Sequence, residues 1–448
     1  MINPSHMKSD FLIKVMYAIV SKYKIILALY ILIQVIFIFF FPQEYRSDAL
    51  YYFKLAEECY QSDQFYPAVQ NLYEDYLVAP FYINIIILLL HIYNSTITIS
   101  LFNLLVNLLQ LFFIYKITQN YFDEKTARIS LIIYILYLNT LGLVLLNYSE
   151  LFFTLLIVSS IFFYSKNSIL LFTLSGVLLG ASIGVRPAGW ALLISYLIIS
   201  VYHIFKEKKL VFKPITVIAG MLFFILLFGS FNYFHFGKFI FTATTGPVNL
   251  LLGANETATG GFNARVYDKG NAGYIAKPDT MTFTQTGEFY QKQATNWIKV
   301  NTIKWIGLAP LKILHTFGYD DIAISSLAGT AEWNITRTIK FLTNDRNMND
   351  ILPTESIQIK VLYFVLQIVH HIYYFLLIII LILWLINNFK KKLFTESSLI
   401  HLLFVLIGTI MIMITVGSPR YKYPFVIVMI PFIASYLQSK LLTKNSIE

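Results

Sequence analysis

Stretches of about 20 apolar residues recur along the whole chain, and this repeated supply of bilayer-length segments limits what it can fold into. In lipid such a run is stable as a helix, because hydrocarbon offers no partner to an open backbone. Candidate spans are 25–41, 97–118, 129–146, 150–165, 168–184, 188–203, 214–233, 360–388, 398–416 and 423–439. Composition agrees: of 448 residues, 57% are hydrophobic and 13% charged, about half the charged share of a soluble domain. Mean hydropathy is +0.66. The first stretch is followed by Pro42, Gln43 and Glu44 without a small-x-small cleavage pattern, so it reads as an uncleaved span. The formal charge of +10 does not call for nucleic acid, since basic residues accumulate in cytoplasmic loops. The single cysteine, Cys59, excludes an intramolecular disulfide and a Cys-based metal cluster. There is no P-loop, GxGxxG, HExxH or CxxC pattern and no evident internal repeat.

Loop charges orient the spans. The stretch 78–93 is apolar but short for a crossing, with Asn84 and His91 inside it. If it does not cross, one side carries Lys8, Lys14, Lys22, Lys24, Lys116, Lys125, Arg128, Lys166, Lys206, Lys208, Lys209, Lys213, Lys390, Lys391, Lys392, Lys440 and Lys444. The short segments of the other side carry Arg46, Lys54, Arg186, Arg420 and Lys422. The basic side faces the cytoplasm. The expectation is an all-α polytopic bundle of about ten spans, nine to thirteen, with both termini cytoplasmic. It divides into an N-terminal membrane module, 1–233, with a first outer loop at 42–96; an outer loop, 234–357; and C-terminal spans, 358–448. The run from Trp297 to Phe317 interleaves Trp and Lys, which predicts an amphipathic surface helix over about 288–317, broken at Pro310.

The same parity collects chemistry-bearing residues on the outer side. Asp48 follows the first span in Tyr45-Arg-Ser-Asp-Ala-Leu-Tyr51, and reads either as a helix N-cap or as a carboxylate pinned at the membrane surface. Glu150, in Asn147-Tyr-Ser-Glu150, lies between two apolar spans with almost no loop, where a carboxylate should face the bundle interior or cap the next helix. Arg186 lies in the tight turn Gly184-Val-Arg-Pro-Ala-Gly189. Arg420, Tyr421 and Lys422 lie in a second, Gly417-Ser-Pro-Arg-Tyr-Lys-Tyr-Pro424. Guanidinium groups match phosphate with paired hydrogen bonds, although single cations at span ends also serve as snorkelling anchors. His91, His370 and His371 sit on apolar stretches and read as packing or hydrogen-bonded groups. With no Cys cluster and no His triad, an all-protein zinc site is not expected; Asp48 and Glu150 have the chemistry to hold a divalent ion.

In order and spacing these segments resemble the GT-C superfamily of membrane glycosyltransferases, and within it the bacterial relatives of protein O-mannosyltransferases and aminoarabinose transferases. The residues are Ser47-Asp48-Ala-Leu-Tyr51, Pro80-Phe81-Tyr82, Tyr148-Ser149-Glu150, Arg186-Pro187, Asn249-Leu-Leu-Leu-Gly253-Ala-Asn255 with Gly260-Gly261, and Arg420-Tyr421, together spanning about 45–425. The chain departs at Ala49, where some relatives have a second acid, and at Ala79, where aminoarabinose transferases have Lys. The resemblance implies an inverting enzyme of the bacterial cytoplasmic membrane. It would take a sugar from a polyprenyl-phosphate carrier and pass it to a lipid, glycan or protein acceptor on the periplasmic face. Asp48 would be the general base, with Glu150 orienting the acceptor or sharing a cation. Arg186 and Arg420, with Tyr421 and Lys422, would hold the donor phosphate. Two other readings stand beside it: a transporter or flippase of a lipid-linked saccharide, and an O-antigen polymerase or ligase. The first wants charges near the midplane of spans; the second is not expected to place an acidic helix directly after the first span.

Overall fold

The computed structural model describes residues 20–40, 45–207, 212–278, 280–327 and 357–445. Lys8, Lys14, Pro42–Glu44, Lys208, Lys209 and the part of the outer loop at 328–356 lie outside them.

The described chain is helical: α1 (Tyr23–Phe40), α2 (Ser47–Gln61), α3 (Pro80–Ile92), α4 (Thr96–Tyr121), α5 (Glu124–Leu136), α6 (Leu138–Leu145), α7 (Ser149–Tyr164), α8 (Ile169–Val185), α9 (Trp190–Glu207) and α10 (Phe212–Phe236) form the first part. The outer segment carries α11 (Gly246–Leu252), α12 (Phe283–Val300), α13 (Thr302–Gly307), α14 (Ala309–Phe317) and α15 (Ile322–Leu327). The last helices are α16 (Ile357–Lys391), α17 (Glu396–Ile414) and α18 (Tyr423–Asn445). Helix starts follow the sequence: Asp123 accepts from the Thr126 amide at 2.7 Å, and Thr282–Gln285 and Thr395–Ser398 form capping boxes.

Among the described residues, six helices are long and apolar enough to cross a bilayer: α1, α4, α9, α10, α16 and α17. The predicted span 129–146 is broken, with α5 and α6 meeting at 54°. The two together would make a seventh span. Polar side chains account for the break. Thr140 Oγ1 donates to the carbonyls of Tyr134 and Tyr137, at 3.1 and 2.8 Å, and so competes with the helical ladder. The predicted spans 150–165 and 168–184 appear as α7 and α8, of 16 and 17 residues. At about 1.5 Å per residue these fall short of a hydrocarbon core of about 30 Å. Nearly every side chain of α7 is buried, so its length answers to its protein neighbours. The count of about ten spans is thus not reached on length and apolarity.

Polar contacts hold the bundle around α4. Asn107 donates to the Tyr30 hydroxyl at 2.8 Å and to Gln34 Oε1 at 2.7 Å, and accepts from Tyr134 at 2.6 Å. Asn103 donates to the carbonyls of Val144 and Leu146, and Gln110 to that of Leu151. Asn103, Asn107 and Gln110 share one helical face, and in an apolar bundle such bonds fix neighbours specifically. Here they clamp 144–151, the approach to Glu150.

The predicted amphipathic run is three helices, broken at Asn301 and Leu308, with Pro310 in the first turn of α14. Val300, Ile303, Ile306 and Leu314 are exposed along it. The outer segment has its own small core of Val248, Leu251, Leu252, Ala254, Val266, Tyr290 and Ala294, closed by Val416 from the turn after α17.

Candidate active site

Asp48, Glu150, Arg186 and Arg420, distant in sequence, form one ion-pair chain. Arg420 Nη2 lies 2.5 Å from Asp48 Oδ2, and Arg420 Nε 3.7 Å from Glu150 Oε1. Arg186 Nη1 lies 2.7 Å from the same Glu150 oxygen and donates to Ser149 Oγ at 3.1 Å. Two carboxylates and two guanidiniums alternate, so the formal charge of the set cancels.

Each member sits at a helix end. Asp48 is in the first turn of α2, whose N-cap is Arg46, so its carboxylate is a site residue in geometry and not the cap. Ser47 has φ +50°, a left-handed conformation that turns the chain sharply into α2. Glu150 is in the first turn of α7, where the helix dipole favours a negative charge. Arg186 ends α8 ahead of the 3-10 turn Pro187–Gly189, as expected of a residue before proline. Arg420 lies in the 3-10 turn Pro419–Lys422, between α17 and α18. Aromatic rings back the cations: Arg186 lies over Tyr421 at 5.3 Å and Arg420 over Tyr148 at 5.0 Å. Tyr82 donates to Asn147 at 2.9 Å, and Asn147 to the Ala49 carbonyl at 3.3 Å, tying the Pro80-Phe81-Tyr82 motif to both acidic helices.

Accessibility separates the two acids. The Asp48 side chain is 42% exposed and that of Glu150 2%, with Arg420 at 15% and Arg186 at 19%. Asp48 is therefore the carboxylate that an incoming group can reach. The Arg420 guanidinium beside it, against the opposing effect of desolvation, holds its carboxyl below the usual carboxylate range.

Lys422 departs from the phosphate-binding expectation. Its side chain is 0% exposed, its ammonium 3.1 Å from Asp320 Oδ1, and it donates to the carbonyls of Thr316, Tyr319 and Pro419. A 3-10 turn has about three residues per turn, so a residue two places after Arg420 projects from another side. Its partner Asp320, which the sequence did not single out, is buried and belongs to a set with the two histidines. Asp320 Oδ2 is 3.3 Å from His370 Nε2, and Asn139 donates to Asp320 Oδ1 at 2.8 Å. His371 accepts from the Asp320 amide at 3.3 Å. The two histidines are thus hydrogen-bonding or ion-pairing groups.

The glycine-rich outer motif buttresses the Arg420 turn. A Cβ on Gly253 would lie 1.6 Å from the Thr415 carbonyl oxygen, and one on Gly417 2.3 Å from that of Lys312. The Gly417 amide donates to the Gly260 carbonyl at 2.9 Å. Lys312 Nζ donates to the carbonyls of Met413 and Ile414 at the end of α17, where a cation suits the dipole. Burial pushes its ammonium down to about 8.

Among the described residues, no group of three or more His, Cys, Asp and Glu is placed to hold a metal ion. Asp48 and Glu150, the two carboxylates with the chemistry to hold a divalent ion, both contact Arg420.

No protein-family profile and no curated protein sequence matches the chain. Two solved structures of the Archaeoglobus fulgidus oligosaccharyltransferase are similar in backbone. The crystal structure of its apo form has a TM-score of 0.50 at 14% identity, covering 93% of this chain and 50% of that one. The archaeal oligosaccharyltransferase AglB from the same organism, in complex with an inhibitory peptide and a dolichol-phosphate, has a TM-score of 0.52 at 13% identity, covering 95% and 51%. The chain spans about half the length of these proteins. In its described residues this chain is a helical membrane protein that shares the backbone fold of the archaeal oligosaccharyltransferase.

Proposed function

We propose that this chain is a membrane glycosyltransferase that moves a sugar from a polyprenyl-phosphate carrier to a nucleophilic acceptor, with inversion, at the outer face of a bacterial cytoplasmic membrane. The observation that carries the reading is the Asp48–Arg420–Glu150–Arg186 chain, in which the most accessible member is a carboxylate and the two cations are less exposed. The dolichol-phosphate in the AglB complex is that protein's ligand; its chemistry, an isoprenoid phosphate at a GT-C fold, is what this site suits. The order of motifs further favours the bacterial relatives of protein O-mannosyltransferases and aminoarabinose transferases.

In this mechanism Asp48 takes the proton of the acceptor as its nucleophilic atom bonds to the anomeric carbon. The bond from that carbon to the phosphate oxygen breaks on the opposite face, and the electron pair leaves with the polyprenyl phosphate. Negative charge grows on the leaving phosphate, so donors aimed at it favour the transition state over the ground state. Arg186 and Arg420 supply them, since a guanidinium carries five N–H groups and the carboxylates use only some. Tyr421, whose ring lies against Arg186, would stand beside the phosphate, and Lys422 acts by fixing the turn. Glu150, buried, orients the two arginines. A divalent cation would be held by the carboxylates of Asp48 and Glu150, in competition with Arg420.

Asp48→Asn tests the base. With a polyprenyl-phosphate monosaccharide as donor, transfer should fall by about 10²–10⁴ while expression and thermal unfolding stay near wild type. Transfer at the wild-type rate removes Asp48 from that role.

A further inference from the structure

A cavity of about 360 Å³ is lined by Tyr51, Tyr73, Glu74, Asp75, Tyr76 and Tyr267. Its volume is at the small end of the ligand-pocket range. The proposed mechanism uses none of these six side chains. Tyr51 lies three residues after Asp48 on α2, hence on the same helical face, and Tyr76 is within electrostatic reach of the Asp48 carboxylate.

The walls are preformed. Asp75 is ion-paired with Lys277 and accepts from the Tyr290 hydroxyl at 3.0 Å, which joins the first outer loop to the long outer segment. The Leu77 amide donates to Thr244 Oγ1 at 2.7 Å, and the Thr244 amide to the Leu77 carbonyl at 2.8 Å. Glu74 accepts the Tyr51 hydroxyl on one oxygen and makes no ion pair among the described residues, which leaves its second oxygen as an acceptor. Tyr73 and Tyr267, from different segments, stand at the rim, 59% and 40% exposed.

The lining selects a ligand chemistry. Four of the six side chains are phenol rings, two are carboxylates and none is aliphatic. With Asp75 compensated by Lys277, the Glu74 carboxylate disfavours an anion, so this is no second phosphate site. Flat rings offer faces to C–H groups, while phenol and carboxylate oxygens take hydroxyl protons. A pyranose ring presents both kinds of group. We propose that this cavity is the subsite for a neutral sugar ring of a saccharide acceptor, which it holds with one hydroxyl turned to Asp48. The proposal rests on the glycosyltransferase reading and names its acceptor class. The exposed rim fits an acceptor arriving from outside the bilayer; a donor sugar is instead tethered by its phosphate at Arg186 and Arg420.

The test measures binding with no donor present. Full-length protein in nanodiscs is mixed with methyl gluco-, galacto- and mannopyranoside, and saturation-transfer NMR is recorded on the sugar ring protons. The wild type should saturate at least one glycoside. The Tyr73→Ala/Tyr267→Ala double variant, altered only at the exposed rim, should bind it about tenfold more weakly. Sugar-free polyprenyl phosphate should leave the signal in place. Absence of saturation in the wild type, or an unchanged signal in the double variant, overturns the proposal. Displacement of the glycoside by sugar-charged donor assigns the cavity to the donor and overturns the acceptor assignment. Glycoside binding by a protein that transfers nothing would sink the glycosyltransferase reading and leave the sugar subsite standing.

Discussion

Arg420 is the residue on which the candidate site turns, since it touches both carboxylates. Its charge keeps Asp48 ionised to lower pH than an ordinary carboxylate, while desolvation alone would raise the Asp48 pKa. Wild-type transfer should therefore be flat from neutral pH down to about 4, the ordinary Asp value. In Arg420→Gln the desolvation that raises the Asp48 pKa is opposed only by the weaker pull of Arg186, so the acid limb of the residual rate should move up toward that window. The rate at neutral pH should also fall, as one phosphate donor is gone. A pH–rate profile of the variant that stays parallel to wild type would contradict the assignment. The same shift contributes stability: it is present above the unfolded pKa of about 3.9 and is lost as pH falls through the lower folded value. Asp48 and Arg420 were both legible in the sequence as polar residues beside apolar runs. That one of them holds the other was not, because 372 residues separate them.

At the scale of elements, the turn between α17 and α18 is held by Lys422 and by the glycine-rich motif. Removing one partner of a buried ion pair leaves the other charge uncompensated, at a cost of about 3–5 kcal/mol. Lys422→Met should lower stability by roughly that amount, and a second change, Asp320→Asn, should recover part of the loss. Thermal unfolding of the single and double variants decides this; equal stability of Lys422→Met and wild type would show the pair to be dispensable. The sequence marked Lys422 by its cationic neighbours, but the local turn geometry sent its side chain inward. The same limit applies to 129–146, where hydropathy reads one span and Thr140 helps to make two helices. Hydropathy averages over a window and carries no information on which side chain competes for the backbone.

For the molecule as a whole, the loop-charge argument places the Lys390–Lys392 cluster in the cytoplasm and the segment after α10 outside. Lys269 and Lys391 are both exposed, one on each proposed side. A membrane-impermeant maleimide should label Lys269→Cys in intact cells and Lys391→Cys only after permeabilisation. The reverse pattern would invert the orientation and put Asp48 on the cytoplasmic face. Cys59 is buried, so the background should be low.

What the sequence determined by itself was the solvent: apolar runs of bilayer length make an all-helical membrane bundle, and charges that hydrocarbon rejects collect at helix ends. Hydrophobic burial is read from composition and spacing, so that much is local information. The tertiary structure decided which ends meet. It joined Asp48 and Glu150 through Arg420, sealed Lys422 against Asp320 and opened the tyrosine-lined cavity between two distant segments. Ion pairing and cavity shape depend on distances of a few ångströms between residues far apart in the chain, and only packing sets those distances.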